Sequence, residues 1–465
     1  MRVERPDVPA GSFLSPAEIA SWMPYPPSSD GGPSAMETAR LRMVRTGQWS
    51  DEQHMGRRWP VGCVALEVTQ RCNLDCTLCY LSENAEAIRD LPLAELFRRI
   101  ETIALMYGPN TDVQITGGDP TLRKREDLVA IVRHIRAHRM RPTLFTNGIR
   151  ATRDLLGELA AAGLVDVAFH VDMTQRRAGY ASEAELNAVR RDYIRRARGL
   201  GLAIMFNTTV FGGNFHELEA LAAFFLTVSD DVSFASFQLQ ADTGRGTGGE
   251  RPQIISPDSV ADALRAGVGA DLSFGIPGTG HRNCNRYAMA LVCNGRAYDF
   301  YRDRQLVKPL LAATAGVVVD RQHRWRAVRA FAAWALRHPG YLPLLSRLGW
   351  RHMWRMRRDL VAARGRLTKI SFFIHNFMSA CQLERERVDA CVFMAATADG
   401  PISMCLHNAR RDDFVLAPIR MDVGAATRFW NPVNGRVQHD GGMGPPPSAA
   451  PRQAKGRARR AVARR

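Results

Sequence analysis

The stretch CVALEVTQRCNLDCTLCY, residues 63–80, decides how the rest of the chain is read. Its first half is an apolar, strand-like run. Its second half carries Cys72, Cys76 and Cys79 at Cys-x3-Cys-x2-Cys spacing. Iron–sulfur clusters are held by cysteine thiolates, normally four of them. Three close together hold three irons of a 4Fe–4S cube and leave the fourth iron open to a small molecule. The spacing therefore points to chemistry as well as electron transfer. Structural zinc sites take four ligands, usually as two pairs, and no second Cys-x2-Cys or His-x3-His lies nearby. A redox Cys-x-x-Cys needs no third cysteine.

Outward from this stretch, residues 59–245 alternate short apolar runs with amphipathic helical patterns. The strand candidates are CVALEVTQ, DVQITGG, RPTLFTNG, VDVAFHVD, AIMFNTTV and SFASFQLQ, separated by stretches such as LAELFRRIETIALM and REDLVAIVRHIRAH. That alternation predicts a parallel α/β sheet. Six repeats suit a partial (β/α)6 barrel with its chemistry at the strand ends. Gly117-Gly118-Asp119-Pro120 follows the second strand, Asn147 ends the third, Asp172 the fourth, Asn207 the fifth and Gln240 the sixth. Paired glycines let backbone approach a ligand closely, and an acid beside them can bind an ammonium. Taken alone, each of these residues is also a plausible turn former or cap.

The cysteine triad and the Gly-Gly-Asp-Pro turn resemble the radical S-adenosylmethionine (SAM) superfamily. The resemblance implies that Cys72, Cys76 and Cys79 hold a 4Fe–4S cluster whose open iron is chelated by the amino and carboxylate groups of SAM. It implies that Gly117, Gly118 and Asp119 replace a Gly-Gly-Glu motif that holds the SAM amino group. Asn147, Asp172, Asn207 and Gln240 would reach its carboxylate, ribose and adenine. The residue before the third cysteine is usually aromatic in that family; here it is Leu78, with Tyr80 just after.

Two later segments extend the likeness. HRNCNRYAMALVCNGRAYDF places Cys284 before an apolar strand and the hairpin signal Asn294-Gly295. CVFMAATADGPISMCLHN sets Cys391 and Cys405 on the arms of a hairpin turned at Asp399-Gly400. Its Cys-x8-Gly-x4-Cys spacing is similar to the auxiliary-cluster hairpins of SPASM and Twitch domains. A second 4Fe–4S cluster on Cys284, Cys391 and Cys405 is expected, with Cys381 or Cys293 as fourth ligand or with an open iron. The alternative is that these cysteines are small buried hydrophobes, which is the reading for Cys63. With FFIHNFMSACQLERERVDAC included, the chain resembles radical SAM proteins related to archaeal tetraether lipid synthase. It lacks their rubredoxin-like Cys-x2-Cys pairs.

The chain has 465 residues and a net charge of +17, with its excess charge in two places. Residues 321–369 hold 12 Arg and one Lys against the single acid Asp359, and 446–465 hold six Arg and one Lys with no acid. Trp325, Val328, Phe331 and Leu336, then Leu344, Leu348, Trp350 and Trp354, recur at helical spacing among these arginines, a pattern of interfacial helices. The expected organisation is an N-terminal extension (1–58), the barrel (59–245), a linker with the first Cys hairpin (246–310), a basic amphipathic helical insertion (311–370), a β-hairpin auxiliary-cluster domain (371–435) and a disordered basic tail (436–465). The start MRVERPDVPAGS lacks an apolar leader core, no run suits a membrane span, and nine Cys form no disulfide framework. A cytoplasmic protein is expected, peripheral at the inner membrane face through its basic helices.

Three functions follow as expectations. The first is a radical SAM enzyme that cleaves SAM reductively to a 5′-deoxyadenosyl radical and takes hydrogen from an unactivated C–H bond of a lipid or isoprenoid tail. It would be served by a flavodoxin- or ferredoxin-type electron donor and an anionic membrane surface. The second is a SPASM/Twitch-type peptide or protein maturase. The third is a nonenzymatic iron–sulfur or nucleic-acid-binding protein, although no specific nucleic-acid motif is present.

Overall fold

A computed structural model describes residues 12–27, 32–52, 60–246, 249–320, 322–423 and 426–439. The expected basic tail from residue 440 and the first 11 residues of the N-terminal extension lie outside them. Six strands occupy the six apolar runs: β1 (Cys63–Thr69), β2 (Asp112–Gly117), β3 (Arg141–Thr146), β4 (Asp166–His170), β5 (Ala203–Val210) and β6 (Val232–Leu239). They pair in parallel in chain order. Between successive strands runs at least one amphipathic helix that packs back on the sheet. In helix Leu93–Tyr107, the buried Leu96, Ile100, Ile103 and Tyr107 recur at three- and four-residue steps. β1 is buried along its whole length, as expected of a parallel strand covered on both faces.

Five further strands enlarge the same sheet: β7 (Asn285–Cys293), β8 (Arg296–Asp299), β9 (Thr368–Asn376), β10 (Phe393–Thr397) and β11 (Gly400–Ser403). β9 joins β6 in parallel, with β7 and β8 antiparallel beyond it. β10 joins β1 in parallel, with β11 antiparallel outside. The hairpin of the C-terminal region is thus built into the barrel sheet, and residues 368–403 cover both edges of its six-stranded core. Asn294 and Gly295 turn the β7–β8 hairpin with φ of 51° and 73°, the left-handed pair that a two-residue hairpin turn needs. Residues 12–27 pack on this C-terminal region: Leu14 N donates to Leu383 O at 2.7 Å and Tyr25 N to Pro401 O at 2.8 Å.

The basic insertion forms helices Arg324–Arg337 and Leu342–Ala362, joined through Pro339–Tyr341. It links β8 to the start of β9, which fixes its place at one end of the barrel. Arg141 Nη2 donates to Val319 O at 3.2 Å, and Gln322 Nε2 donates to Leu164 O and Gly201 O at 3.2 and 3.0 Å. Arg366 pairs with Asp230 at 2.6 Å. Residues 141, 164, 201 and 230 all stand where β3 to β6 begin. The sequence suggests that these helices bring a bilayer substrate to the site. The flanks of the helical segment, Val319, Gln322 and Arg366, are anchored instead at the end of the barrel opposite the strand ends where the site lies.

Candidate functional site

The six barrel strands end at one cavity of ≈ 220 Å³. Ala65 and Glu67 of β1, Gln114 and Thr116 of β2, and Asn207 and Thr209 of β5 line it at two-residue steps, because alternate side chains of a strand share a face. Cys72, Cys76 and Cys79 all line the cavity and are partly exposed. Thr77 N donates to Thr174 O at 2.9 Å and fastens the cysteine loop to the end of β4. Tyr80 follows the last cysteine of the loop. Its hydroxyl donates to Gly117 O at 2.6 Å, and the Arg411 guanidinium lies 4.6 Å from its ring centre. The buried Arg245 packs behind the loop: it pairs with Glu86 at 3.1 Å, and the Cys79 sulfur raises its pKa against the lowering effect of burial.

Among the described residues, the one group of three ligating side chains whose donor atoms all lie within 4.8 Å of one another is Glu101, His134 and His138, on the outer helices. The cysteine triad does not gather to that single-ion spacing. Sulfurs around one tetrahedral zinc, each at about 2.3 Å from the metal, would.

Gly117 and Gly118 are fixed by close approach to β1 and the cysteine loop. A Cβ on Gly117, whose φ is +122°, would meet Thr69 O at 2.0 Å, and one on Gly118 would meet Arg71 O at 1.9 Å. Gly118 N donates to Thr69 O and Asp119 N to Arg71 O, both at 2.8 Å. Asp119 departs from its expected place. It does not line the cavity, and its fully buried carboxylate accepts from Thr121 N at 2.9 Å, Asn147 N at 2.8 Å and the Thr146 hydroxyl at 2.9 Å. Those short donors around a short acid bind the ends of β2 and β3 together. Burial raises its pKa against these hydrogen bonds.

Asn147 lines the cavity with Nδ2 on Asn73 Oδ1 at 2.6 Å and 3.9 Å from Cys72 Sγ. Asp172 is also buried behind the cavity wall. It accepts from Thr174 N and Thr209 N at 2.9 and 2.8 Å and lies 2.6 Å from His170 Nε2. His170 is therefore the group that β4 presents to the cavity. Burial lowers its pKa, but the Asp172 charge and hydrogen bond outweigh burial and hold it above its ordinary value. Asn207 lines the cavity, and its buried Nδ2 has no hydrogen-bond partner among the described residues. Gln240 lines it with Nε2 on Gly249 O at 2.6 Å.

Sequence reasoning missed His170 and the pair Glu67–Arg411. Glu67 is the one acid within the apolar run CVALEVT, and an acid seldom lies buried without a partner; that was the available signal. Its partner is 344 residues away: Arg411 Nη1 donates to Glu67 Oε1 at 2.5 Å. Burial alone would raise the Glu67 pKa, but Arg411 and the neighbouring His407 bring it down to about 2.

A second, enclosed cavity is lined by Cys284, Cys391 and Cys405 together with His375 and Arg387. Met394 pairs with Ser403 at the open end of the β10–β11 hairpin, which brings Cys391 and Cys405 toward each other. The buried Arg387 donates from Nε to Cys284 Sγ at 3.1 Å. Cys381 is not brought here. It is exposed in another hollow, lined by Leu14, Ile19 and Arg410. Cys293 is buried at the far end of β7, with Sγ on Arg366 O at 3.5 Å. Cys63 is a buried residue of β1.

Residues 66–225 match the model of the Radical SAM superfamily. The chain is similar to the probable GTP 3′,8-cyclase of Pyrococcus abyssi, 36% identical over 118 residues, or 25% of this chain and 37% of that protein. It is similar to the PqqA peptide cyclase of Bradyrhizobium diazoefficiens, 30% identical over 33% of this chain and 40% of that protein. The chain therefore spans less than half the length of either relative. Among solved structures, native anSMEcpe with bound AdoMet aligns with a TM-score of 0.34 and 16% identity, over 43% of this chain and 58% of that one. The chain carries a radical SAM domain over residues 66–225, a domain whose family works with a 4Fe–4S cluster and S-adenosylmethionine.

Proposed function

We propose that the cavity at the strand ends is a SAM-dependent radical site acting on an unactivated C–H bond. The observation that carries the reading is convergence. Three cysteine thiols, the Gly117–Gly118 strand end and the Asn207 side chain border one cavity, and the buried Asn207 Nδ2 has no partner among the described residues. Thiols in this number and order fit an iron–sulfur cluster, and a buried orphan donor at a cavity wall fits a polar ligand that satisfies it. Cys72, Cys76 and Cys79 would hold the cluster; the Gly117–Gly118 strand end, Asn147, Asn207 and Gln240 would hold SAM. Bound there, cluster and SAM supply a one-electron cleavage of the sulfonium that yields a carbon radical able to take a hydrogen atom. The protein's own part is to place and shield. Tyr80 holds the Gly117 carbonyl, Arg245 backs the Cys79 side of the loop, and Asp172 keeps His170 oriented as a cavity donor. A flavodoxin- or ferredoxin-type protein would provide the electron.

For the substrate, the geometry favours a molecule bearing amides, such as a peptide. Glu67, Gln114, Gln238 and Asn408 line the same cavity, Arg411 stands behind Glu67, and one relative is named a peptide cyclase. A lipid or isoprenoid tail is the second reading, favoured by Phe145, Phe377 and Met404 in the same wall. Cys284, Cys391 and Cys405 would hold an auxiliary cluster beside Arg387, whose positive charge offsets that of thiolate ligands.

The test is anaerobic reconstitution followed by reduction with dithionite in the presence of SAM. 5′-Deoxyadenosine should form, and a Cys72→Ala/Cys76→Ala/Cys79→Ala variant should form none. A fully loaded protein that forms none would overturn the reading. About eight irons per chain are expected if both sites fill with 4Fe–4S clusters, and about four if only the first does. Mass spectrometry of a strain lacking the gene separates the substrates by whether a modified peptide or a modified lipid disappears.

A further inference from the structure

We propose that the helical hairpin formed by Arg324–Arg337 and Leu342–Ala362 docks on an anionic lipid bilayer surface, holding the mouth of the cavity away from the membrane. Helix Leu342–Ala362 has a buried face and, apart from it, an exposed apolar one. Leu348, His352, Met356 and Asp359 are buried against the protein. On the other side Leu342, Trp350, Met353, Trp354 and Val361 are exposed by 45 to 80%. At 100° per residue these five fall on one face. Helix Arg324–Arg337 adds Trp325, Val328, Phe331 and Leu336, exposed by 41 to 80%. Large side chains left out of the core in this number mark an interaction surface.

The charge around them selects the partner. Arg351 and Arg355 are used internally, both on Asp303 at 2.6 Å. Arg329, Arg337, Arg347 and Arg358 make no ion pair among the described residues. Arg357 lies over the Trp354 ring at 4.1 Å, an arrangement in which a cation and an apolar ring are offered together. A second copy of this face would bring arginines against arginines. A surface of lipid phosphates pairs with the arginines, while Trp, Leu and Met enter the boundary between headgroups and acyl chains. No helix of the described residues is long and apolar enough to cross a membrane, so the fit is to a surface. Because the hairpin is anchored through its flanks, Val319, Gln322 and Arg366, where β3 to β6 begin, a docked molecule would turn the strand ends, with the cysteines and the cavity, toward the aqueous side.

Sedimentation of the full-length, cluster-loaded protein with vesicles tests this. Binding is expected to phosphatidylcholine vesicles doped with phosphatidylglycerol, to weaken with added salt, and to be roughly tenfold or more weaker on phosphatidylcholine alone. Arg329→Gln/Arg337→Gln/Arg347→Gln/Arg358→Gln should abolish the preference for anionic vesicles, and Trp325→Ser/Trp350→Ser/Trp354→Ser should weaken binding to both. All seven positions are on the surface, so both variants should form 5′-deoxyadenosine at the wild-type rate, which reports that they fold. Equal sedimentation of wild type and variants would overturn the proposal. So would equal binding to the two vesicle types, a lipid-free dimer that the Trp variant converts to monomer, or binding of a single-stranded RNA at least as tight as that of anionic vesicles at the same salt.

Discussion

Asn207 Nδ2 is a buried donor with no acceptor among the described residues. A group of this kind costs about 1–3 kcal/mol until something accepts from it. Asn207→Ala is therefore expected to leave the thermal midpoint unchanged or slightly raised, while weakening SAM binding by about tenfold, measured by equilibrium dialysis on the reconstituted protein. A fall in midpoint with unchanged SAM affinity would make the residue structural. Glu67 behaves in the opposite way, as a paired group. Its folded pKa of about 2 lies below the ordinary 4.5. The stabilisation from its charge is thus complete above pH 4.5 and is lost as pH falls toward 2, on the order of 3 kcal/mol in all. Urea unfolding should show wild type well above Glu67→Gln at neutral pH, with the gap closing below pH 4.5; a gap independent of pH would refute the ion pair. At this scale the sequence was legible where a residue's number in the chain also gives its place on a strand. Asn147 and Gln240 follow the ends of β3 and β6 and do line the cavity, as does Asn207, which lies within β5 three residues before its end. Asp119 and Asp172 are also strand-end residues, yet each is turned inward to collect backbone N–H donors. Spacing alone cannot separate an acid that faces a ligand from one that ties two strand ends together.

The element that depends most on local geometry is the crossing of the β2 end over the cysteine loop. Gly117 combines a left-handed backbone with a Cβ position only 2.0 Å from Thr69 O. Gly117→Ala must push apart β1 and β2 at the point where the cysteines begin, so iron loading during reconstitution should fall several-fold. Wild-type iron content in this variant would show that the loop tolerates the shift. The barrel strands and their helices were readable from period and punctuation because each is decided by residues within it. The Asn294-Gly295 hairpin was readable for the same reason. The place of the β10–β11 hairpin was not: pairing with β1 is a contact between residues about 330 positions apart, and nothing in either segment names the other. The same holds for the basic helices, whose amphipathic pattern was visible but whose position at the strand starts depends on where β8 ends and β9 begins.

At the scale of the whole molecule, the matched domain, residues 66–225, does not contain its own boundaries. It stops short of β6, and in the six-stranded core to which it belongs β1 and β6 are the outer strands, both paired by strands from residues 368–403. A chain ended at residue 360 would leave two apolar parallel edges open, the condition that leads to edge-to-edge aggregation. Such a truncation is expected to be recovered almost wholly in the insoluble fraction, while the full chain is soluble; a soluble, folded truncation would show that the core closes without its last strands. Arg411 reaching Glu67 and Tyr80 makes the same dependence chemical, since the cavity wall is completed from the far end of the chain.

The pairing of β1 with β10 also sets a clock. β1 leaves the ribosome early, but Ala395, which faces Ala65, is made about 330 residues later, roughly 15 s to a minute at usual translation speeds. For that interval the strand leading into the cysteine loop has no neighbour on its outer side. The nascent protein therefore has a long period in which an apolar strand edge is open to pairing with other chains, and in which it depends on chaperones.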